Sequence, residues 1–113
     1  MYKMLSKKDI IEMNKIFHIG KLSNESSLDF ALSQVYRSKN WLKTAAVLSR
    51  AILIDHVFED GNKRTAAGAI ASIMELNGVD YSPTKMNKAV VMIAKKNITS
   101  IKKLEQVILN VRK

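Results

Sequence analysis

The chain contains no cysteine and a single proline among its 113 residues. Without cysteine it can form neither a disulfide framework nor a thiolate site, and the lack fits a reducing cytoplasm. No apolar run approaches the roughly 20 residues that a membrane-spanning helix needs. The N-terminal run Met-Tyr-Lys-Met lacks the apolar core of a secretion signal. We therefore expect a cytoplasmic protein with no membrane partner and no thiol chemistry.

Acidic residues are scarce relative to basic ones. There are 19 Lys and Arg residues against 10 Asp and Glu residues, which gives a net charge of +9. This balance favours an anionic partner such as a nucleotide, an acidic protein or a nucleic acid. The basic residues are dispersed along the chain and no recognised DNA-binding motif is present, so a nucleic acid has the least support. The length predicts one domain over residues 1–113, with its own hydrophobic core.

Apolar residues recur at helical spacing in six stretches of the chain, and none of these stretches alternates as a strand would. Ser6 and Asp9 form a predicted capping box for the first helix, which should end near Gly20. A second apolar stripe follows over residues 28–36. The third helix should run over residues 43–54, with alanine and leucine prominent.

The helix predicted over residues 63–77 is apolar on most sides, so we expect it to be central and buried. A Ser-Pro pair at 82–83 starts the next helix, and Thr99 or Ser100 caps the last. The segment 36–42 leaves room for a short hairpin. The predicted fold is an all-α, compact bundle of about six helices.

Reactive and charged side chains are concentrated in the run His-Val-Phe-Glu-Asp-Gly-Asn-Lys-Arg at 56–64. The run lies between two predicted helices, and a turn that leads into a helix N-terminus is a ready phosphate site because the backbone N–H groups of residues 62–65 point outward. Lys63 and Arg64 oppose the dipole of that helix, at a cost of about 0.3–1 kcal/mol each when unpaired. An anion bound there would compensate both cations.

Each residue type in this run suggests a role. His56 can take a proton from an attacking hydroxyl, because imidazole titrates near neutral pH. Asp60 is a single carboxylate of the kind that holds Mg²⁺ beside phosphate oxygens. Gly61 lets the backbone turn and approach a ligand closely. Asn62 can either cap the next helix or donate its amide to a phosphate, and Phe58 is the expected buried anchor of the loop.

Each of these residues alone also has an ordinary structural role. An Asp-Gly pair is commonly a turn, and a Lys-Arg pair commonly lies on a solvated helix face. Their coincidence within nine residues at one turn-to-helix junction favours a functional site. His18, by contrast, stands alone at the end of the first helix, and we expect it to be a surface residue.

The run 56–65 resembles the signature of the Fic/Doc proteins, His-x-Phe-x-(Asp/Glu)-Gly-Asn-(Gly/Lys)-Arg. The small size and the helix order look like the Doc branch over nearly the whole chain, with a single Fido-type domain. The resemblance implies that His56 is the general base and that Asp60 holds Mg²⁺. It also implies a nucleotide- and phosphate-binding set that consists of Gly61, Asn62, Lys63, Arg64 and Thr65.

Two departures from the Fic pattern bear on the reaction. Fic enzymes that transfer AMP usually have glycine at the position of Lys63 and a second arginine at the position of Ala67. Both differences resemble Doc, which implies transfer of the γ-phosphate of ATP to a Ser or Thr hydroxyl, with a translation elongation factor as the family's target. Two alternatives remain open: AMP transfer to a protein, and a non-catalytic domain that binds an anion or an antitoxin.

The resemblance also implies protein partners. Doc-type proteins are usually toxins that a separate antitoxin silences. The inhibitory helix of other Fic proteins, Ser/Thr-x-x-x-Glu-(Gly/Asn), has no match in this sequence, so the restraint would come from another chain. The basic surface would suit an acidic antitoxin segment. In the family the target lies along a flap before the motif, which corresponds here to Tyr36, Trp41 and Leu42.

Overall fold

The computed structural model describes residues 5–113, and the regular secondary structure within this range is entirely helical. The helices are α1 (Lys7–Phe17), α2 (Glu25–Val35), α3 (Trp41–Leu53), α4 (Asn62–Leu76), α5 (Pro83–Lys96) and α6 (Ile101–Leu109). The radius of gyration, 12.4 Å, is that of a packed domain of this size. The prediction of an all-α bundle of about six helices is confirmed. Over residues 5–113 we find no helix with both the length and the apolar character that crossing a membrane requires.

Short polar side chains define where the helices begin. The Ser6 hydroxyl accepts the N–H of Asp9, and the Asp9 carboxylate accepts the N–H of Ser6, which completes the predicted capping box. The hydrogen bond from the Ser6 N–H holds the pKa of the Asp9 carboxyl below its usual value. Ser82 caps α5 and Ser100 caps α6 through the same kind of bond. Of the two candidates for the last cap, Ser100 is the one used.

The predicted hairpin over residues 36–42 does not form. Residues 36 and 37 make a turn after α2, and α3 already begins at Trp41. The early start has a local cause, because the Asn40 side chain accepts the N–H groups of residues 42 and 43 at 3.0 and 3.1 Å. These bonds satisfy donors that a helix start otherwise leaves unpaired.

Two consecutive helices, α3 and α4, form the centre of the bundle. α3 packs against α2, α4, α5 and α6, whereas α4 packs against α1, α3 and α5. Nine residues of α3 are buried, and alanines at 45, 46 and 51 allow its neighbours to approach closely. The helix predicted to be central, α4, thus shares the core with the helix before it. The loop between them is fixed at both ends by the core.

Candidate functional site

The loop over residues 54–61 joins α3 to α4 and borders a pocket of about 560 Å³. This volume lies within the range of small-molecule sites, roughly 300–1,000 Å³. Its walls come from α1, α3, α4 and α5 as well as the loop. The lining residues are Phe17, Leu53, His56, Glu59, Asp60, Gly61, Asn62, Lys63, Arg64 and Ala94. The fold therefore brings the predicted base, carboxylate and cations to one pocket, while Thr65 is buried behind it.

The loop is anchored by its two apolar residues. Val57 is fully buried and Phe58 is 1% exposed. The Val57 carbonyl accepts the N–H groups of Ser23 and Asn24, and Phe58 forms an isolated antiparallel bridge with Leu22. These contacts hold the inner side of the loop against the chain between α1 and α2. The polar residues that flank this apolar pair, His56 before it and Glu59 after it, remain at the surface.

The Asn62 side chain clamps the loop. Its carbonyl oxygen accepts the Phe58 N–H at 3.1 Å, and its amide donates to the Phe58 carbonyl at 2.9 Å. Asn62 is the first residue of α4, and Gly61, at φ +77°, occupies the cap position. The side chain therefore does not cap α4 as predicted, and the bond to the Phe58 carbonyl occupies one of the two N–H groups of its amide. The doubly bonded amide fixes the backbone that leads into α4.

The N-terminus of α4 is open. The other five helices of residues 5–113 each have a side chain that caps the first turn, whereas α4 has none. Within the same residues no partner accepts the N–H groups of Asn62, Lys63 or Arg64, and the Thr65 N–H donates to the Gly61 carbonyl at 2.9 Å. Of the four predicted backbone donors, three are free. Free donors and the helix dipole together favour an anion.

The two cations at this helix end have no ion-pair partner among residues 5–113. Lys63 and Arg64 are exposed, and neither forms an ion pair with a described residue. The Arg64 guanidinium lies over the Phe17 ring, 5.7 Å from its centroid, which holds it against the pocket wall. The Glu59 carboxylate, in contrast, is paired with the Lys21 ammonium at 3.1 Å. An anionic ligand would therefore meet two unpaired cations.

Asp60 has one carboxylate oxygen available. The other, Oδ1, accepts the N–H of Gly61 at 2.7 Å. The described part of the chain has no group of three or more His, Asp or Glu side chains that could hold a metal ion by itself. A lone carboxylate fits Mg²⁺ when phosphate oxygens and waters supply the remaining ligands. The donor set at Asp60 thus fits a metal–phosphate complex better than a free metal ion.

His56 has a left-handed backbone with φ +52°, which is uncommon outside glycine and costs of order 1–3 kcal/mol. The residues before it are held firmly. The N–H groups of Ile54 and Asp55 donate to the Arg50 carbonyl, and the Asn24 amide donates to the Asp55 carbonyl at 3.0 Å. His56 is exposed, and its imidazole makes no hydrogen bond to any residue of 5–113. The strained backbone fixes where the ring emerges, and both ring nitrogens stay available.

Asn14 is a site residue that sequence reasoning missed. It lies fully buried on α1, and its amide donates to the Asp60 carbonyl at 2.9 Å and to the Thr65 hydroxyl at 3.0 Å. Its own carbonyl oxygen accepts the Gly20 N–H at 2.9 Å. A Cβ at Gly61 would lie 3.1 Å from the Asn14 amide nitrogen. The only sign of its role in the sequence was that Asn14, four residues after Ile10, places a polar side chain on the apolar face of the first helix.

His18 also differs from its prediction as a surface residue. It is half-buried beside the loop, and its Nε2 atom is buried without a hydrogen-bond partner among the described residues. The chain reverses at Gly20, whose φ is +74°. The end of α1 lies against Gly61, where a Cβ would be 3.5 Å from the His18 Cβ, because α1 packs beside α4.

We expect Asn14→Ala to lower the free energy of unfolding by about 1–3 kcal/mol, because it leaves buried polar groups of the loop without a partner. Urea denaturation followed by circular dichroism measures the loss. Asn87→Ala, an exposed asparagine on α5, is the matched control and should stay within about 0.5 kcal/mol of the wild type. Equal stability of the two variants would contradict the role of Asn14.

The predicted flap residues do not reach this pocket. Trp41 and Leu42 form the first turn of α3 and pack half-buried against the core, and Tyr36 is 71% exposed. The motif loop follows the opposite end of α3. A helix of 13 residues is about 20 Å long, so the two features lie at opposite ends of one rigid element.

Comparison of the chain with known proteins finds no matching family model and no matching curated protein. The resemblance to the Fic/Doc proteins therefore rests on the residues of the motif alone.

Proposed function

We propose that the chain is a Doc-like member of the Fic/Doc family, a protein phosphotransferase that moves the γ-phosphate of ATP to a Ser or Thr hydroxyl. The observation that supports this best is the open N-terminus of α4. Three unpartnered N–H groups and the two cations of the same turn border a pocket that also contains His56 and Asp60. Phosphoryl transfer requires little covalent chemistry from a protein, and depends mainly on positioning and positive charge.

His56 would act on the nucleophile. As the target hydroxyl oxygen bonds to the γ-phosphorus, a ring nitrogen accepts the hydroxyl proton. The bond between the γ-phosphorus and the bridging oxygen breaks, and ADP leaves with the electron pair. The two carboxylates of the pocket are less suited to act as the base, because Glu59 is paired with Lys21 and Asp60 already accepts the Gly61 N–H.

The first turn of α4 would act on the phosphates. Its free N–H groups, Lys63 and Arg64 stabilise the negative charge on the phosphoryl oxygens, without any reorganisation of the loop that Asn62 clamps. Asp60 would hold Mg²⁺, and the ion offsets the charge of the phosphate chain when it is bound. The aromatic contact with Phe17 keeps the Arg64 guanidinium at the pocket wall.

The distribution of charge along α4 favours phosphate transfer over AMP transfer. Lys63 adds a cation at the helix start, whereas the position one turn further on is Ala67, which is half-buried and uncharged. A site with strong charge at the first turn and none beyond it favours the γ-phosphoryl at the reacting position. AMP transfer would place the α-phosphate there and leave the terminal phosphates without a clamp.

Parallel incubations with γ-labelled and α-labelled ATP test the proposal. The purified chain is mixed with Mg²⁺ and a bacterial lysate, and labelled proteins are separated by gel. We expect γ-label on a protein band and no α-label, with His56→Ala as the blank. Transfer of α-label would indicate an AMP transferase. No transfer of either label, despite binding of Mg-ATP, would leave a non-catalytic anion-binding domain.

A Doc-like enzyme would act in the cytoplasm as a toxin, with a translation factor as target and a separate antitoxin as restraint. Induced expression should arrest growth, and His56→Ala should not. Co-expression of a small acidic protein from a neighbouring gene should restore growth. Growth arrest by the His56→Ala variant would contradict an enzymatic toxin.

We expect Arg64→Ala to weaken Mg-ATP binding about tenfold or more, because it removes a charge-assisted contact to phosphate. Asp60→Ala should weaken binding only when Mg²⁺ is present, and should have no such effect in EDTA. Isothermal titration measures both. Arg37→Ala, an exposed arginine after α2, controls for the loss of one positive charge. Unchanged affinity and turnover in both site variants would remove the nucleotide from this loop.

A further inference from the structure

Most of the net charge of the chain lies in residues 83–113, which comprise α5, α6 and the residues beside them. Residues 83–113 contain eight basic residues and one acidic residue, a net of +7 out of the total of +9. All eight basic side chains are exposed. Basic residues occur along the whole chain, but residues 83–113 contain almost no acidic residues to balance them. The excess positive charge is therefore concentrated in this part of the fold. None of these eight basic residues lines the pocket beside the loop over residues 54–61, called the motif pocket from here on.

The outer face of α5 combines this charge with an apolar strip. Lys85, Lys88 and Lys95 follow at helical spacing, and Val91 and Met92 lie between them on the same face. Val91 is 48% exposed, which is high for a large apolar side chain. The strip lines a shallow groove of about 440 Å³, whose lining residues are Asn87, Lys88, Val91, Met92, Lys95 and Lys96.

The fold explains only part of this arrangement. Lys95 and Lys96 complement the dipole at the C-terminal end of α5, whereas Lys85 and Lys88 lie in its first half, where they oppose it. The ion pairs of residues 5–113 involve Lys7, Lys15 and Lys21 and none of the α5 lysines. Lys88, Lys95 and Lys96 also make no side-chain hydrogen bond within the described chain. Their charge is left for an external partner.

We propose that the outer face of α5 docks an acidic amphipathic segment of a partner protein. Apolar side chains of the segment would pack on Val91 and Met92, and its carboxylates would meet the lysines on either side. This is the helix-in-groove type of recognition, with charge complementarity added. It does not depend on the nucleotide chemistry proposed above.

The chemistry of the face favours a protein over a nucleic acid or a membrane. The apolar strip has no counterpart in a phosphate backbone, α5 contains no aromatic residue on which a base could stack, and its basic residues are all lysines rather than the arginines that read base edges best. Interfacial membrane helices use Trp, Phe or Leu for insertion, and the outer face of α5 has only valine and methionine.

The docking face also adjoins the motif pocket. Ala94 of α5 lines that pocket and lies three residues after Val91, so the two surfaces meet along one side of the helix. A segment bound on α5 would therefore lie beside the pocket rim. A regulator, or an extension of a substrate protein, would reach the pocket rim from this surface.

Fluorescence anisotropy with a synthetic peptide tests the proposal. In the peptide leucines recur at helical spacing among glutamates, and a scrambled peptide of equal composition is the comparison. The variant Lys88→Glu/Lys95→Glu reverses charge on the α5 face, and Lys39→Glu/Lys43→Glu makes the same change of net charge at exposed positions elsewhere. We expect the α5 variant to weaken binding at least about tenfold and the control less than about threefold. Val91→Gln should weaken binding about fivefold, since it removes the apolar contact.

Several outcomes would overturn the proposal. These are absence of peptide binding, equal binding of the scrambled peptide, equal losses in both charge-reversal variants, or full binding by Val91→Gln. Duplex DNA, or vesicles of phosphatidylserine and phosphatidylcholine, could instead bind more tightly than the peptide. If the α5 variant abolished that binding, the face would be assigned to nucleic acid or to lipid. Circular dichroism confirms folding of each variant, and Lys88→Gln/Lys95→Gln provides a milder replacement if the charge reversal unfolds the chain.

Discussion

We expect His56→Ala to lower the rate of phosphate transfer by about 10²–10⁴-fold, the usual loss when a general base is removed. The imidazole is exposed in the pocket and has no hydrogen-bond partner in the described chain, whereas the neighbouring carboxylates of Glu59 and Asp60 already have one. Of the titratable side chains that the loop contributes to the pocket, only the imidazole has no partner within residues 5–113. Single-turnover transfer from γ-labelled ATP measures the rate directly.

The left-handed backbone at His56 calls for a second variant. Alanine at φ +52° is strained, so a loss of activity in His56→Ala could reflect a shifted loop. Asparagine tolerates this conformation and cannot act as a base at neutral pH, which makes His56→Asn the matched control. Both variants should show the same large loss of rate, and His56→Asn should unfold no more easily than His56→Ala. Activity retained in either purified variant would reject the general-base role.

The largest loss of stability is expected for Phe58→Ala, at about 3–5 kcal/mol. The Phe58 side chain is 1% exposed and packs in the hydrophobic core, where it holds the motif loop, and the backbone of the same residue pairs with that of Leu22 between α1 and α2. Since domains of this size are stable by only about 5–15 kcal/mol, the variant should be close to unfolding. Urea denaturation measures the change, and Phe58→Leu, which conserves more of the volume, should lose less.

Phe30 provides the control for this prediction. It lies on α2 with 62% of its surface exposed, so Phe30→Ala should change the free energy of unfolding by no more than about 0.5 kcal/mol. Equal losses in the two phenylalanine variants would mean that Phe58 does not anchor the loop. Phe58→Leu also allows the transfer assay to be run on folded protein, where a displaced loop should reduce the rate.

The sequence alone was sufficient where the determining interaction is local. The start of α1 could be predicted because Ser6 and Asp9, three residues apart, satisfy each other's backbone N–H groups. Apolar residues that recur about every 3.6 positions predicted the helices and the all-α class, because this spacing places them on one face of each helix, where they can pack against the core. Residues 56–64 identified the candidate site, because a turn followed by a helix start needs only adjacent residues to expose its N–H groups.

Only the tertiary structure decided how the loop is held and what its residues are free to do. Asn14 reaches Asp60 and Thr65 across 46 and 51 residues, and no local pattern encodes such a pairing. The same holds for the burial of His18 against Gly61, which depends on how α1 packs beside α4. The distance of the expected flap from the pocket could not be predicted, because a pattern along the chain does not reveal that α3 separates the two. Hydrogen bonds and packing between distant segments depend on how helices pack in three dimensions, so the sequence determined the helices and the motif, and the packing decided the site.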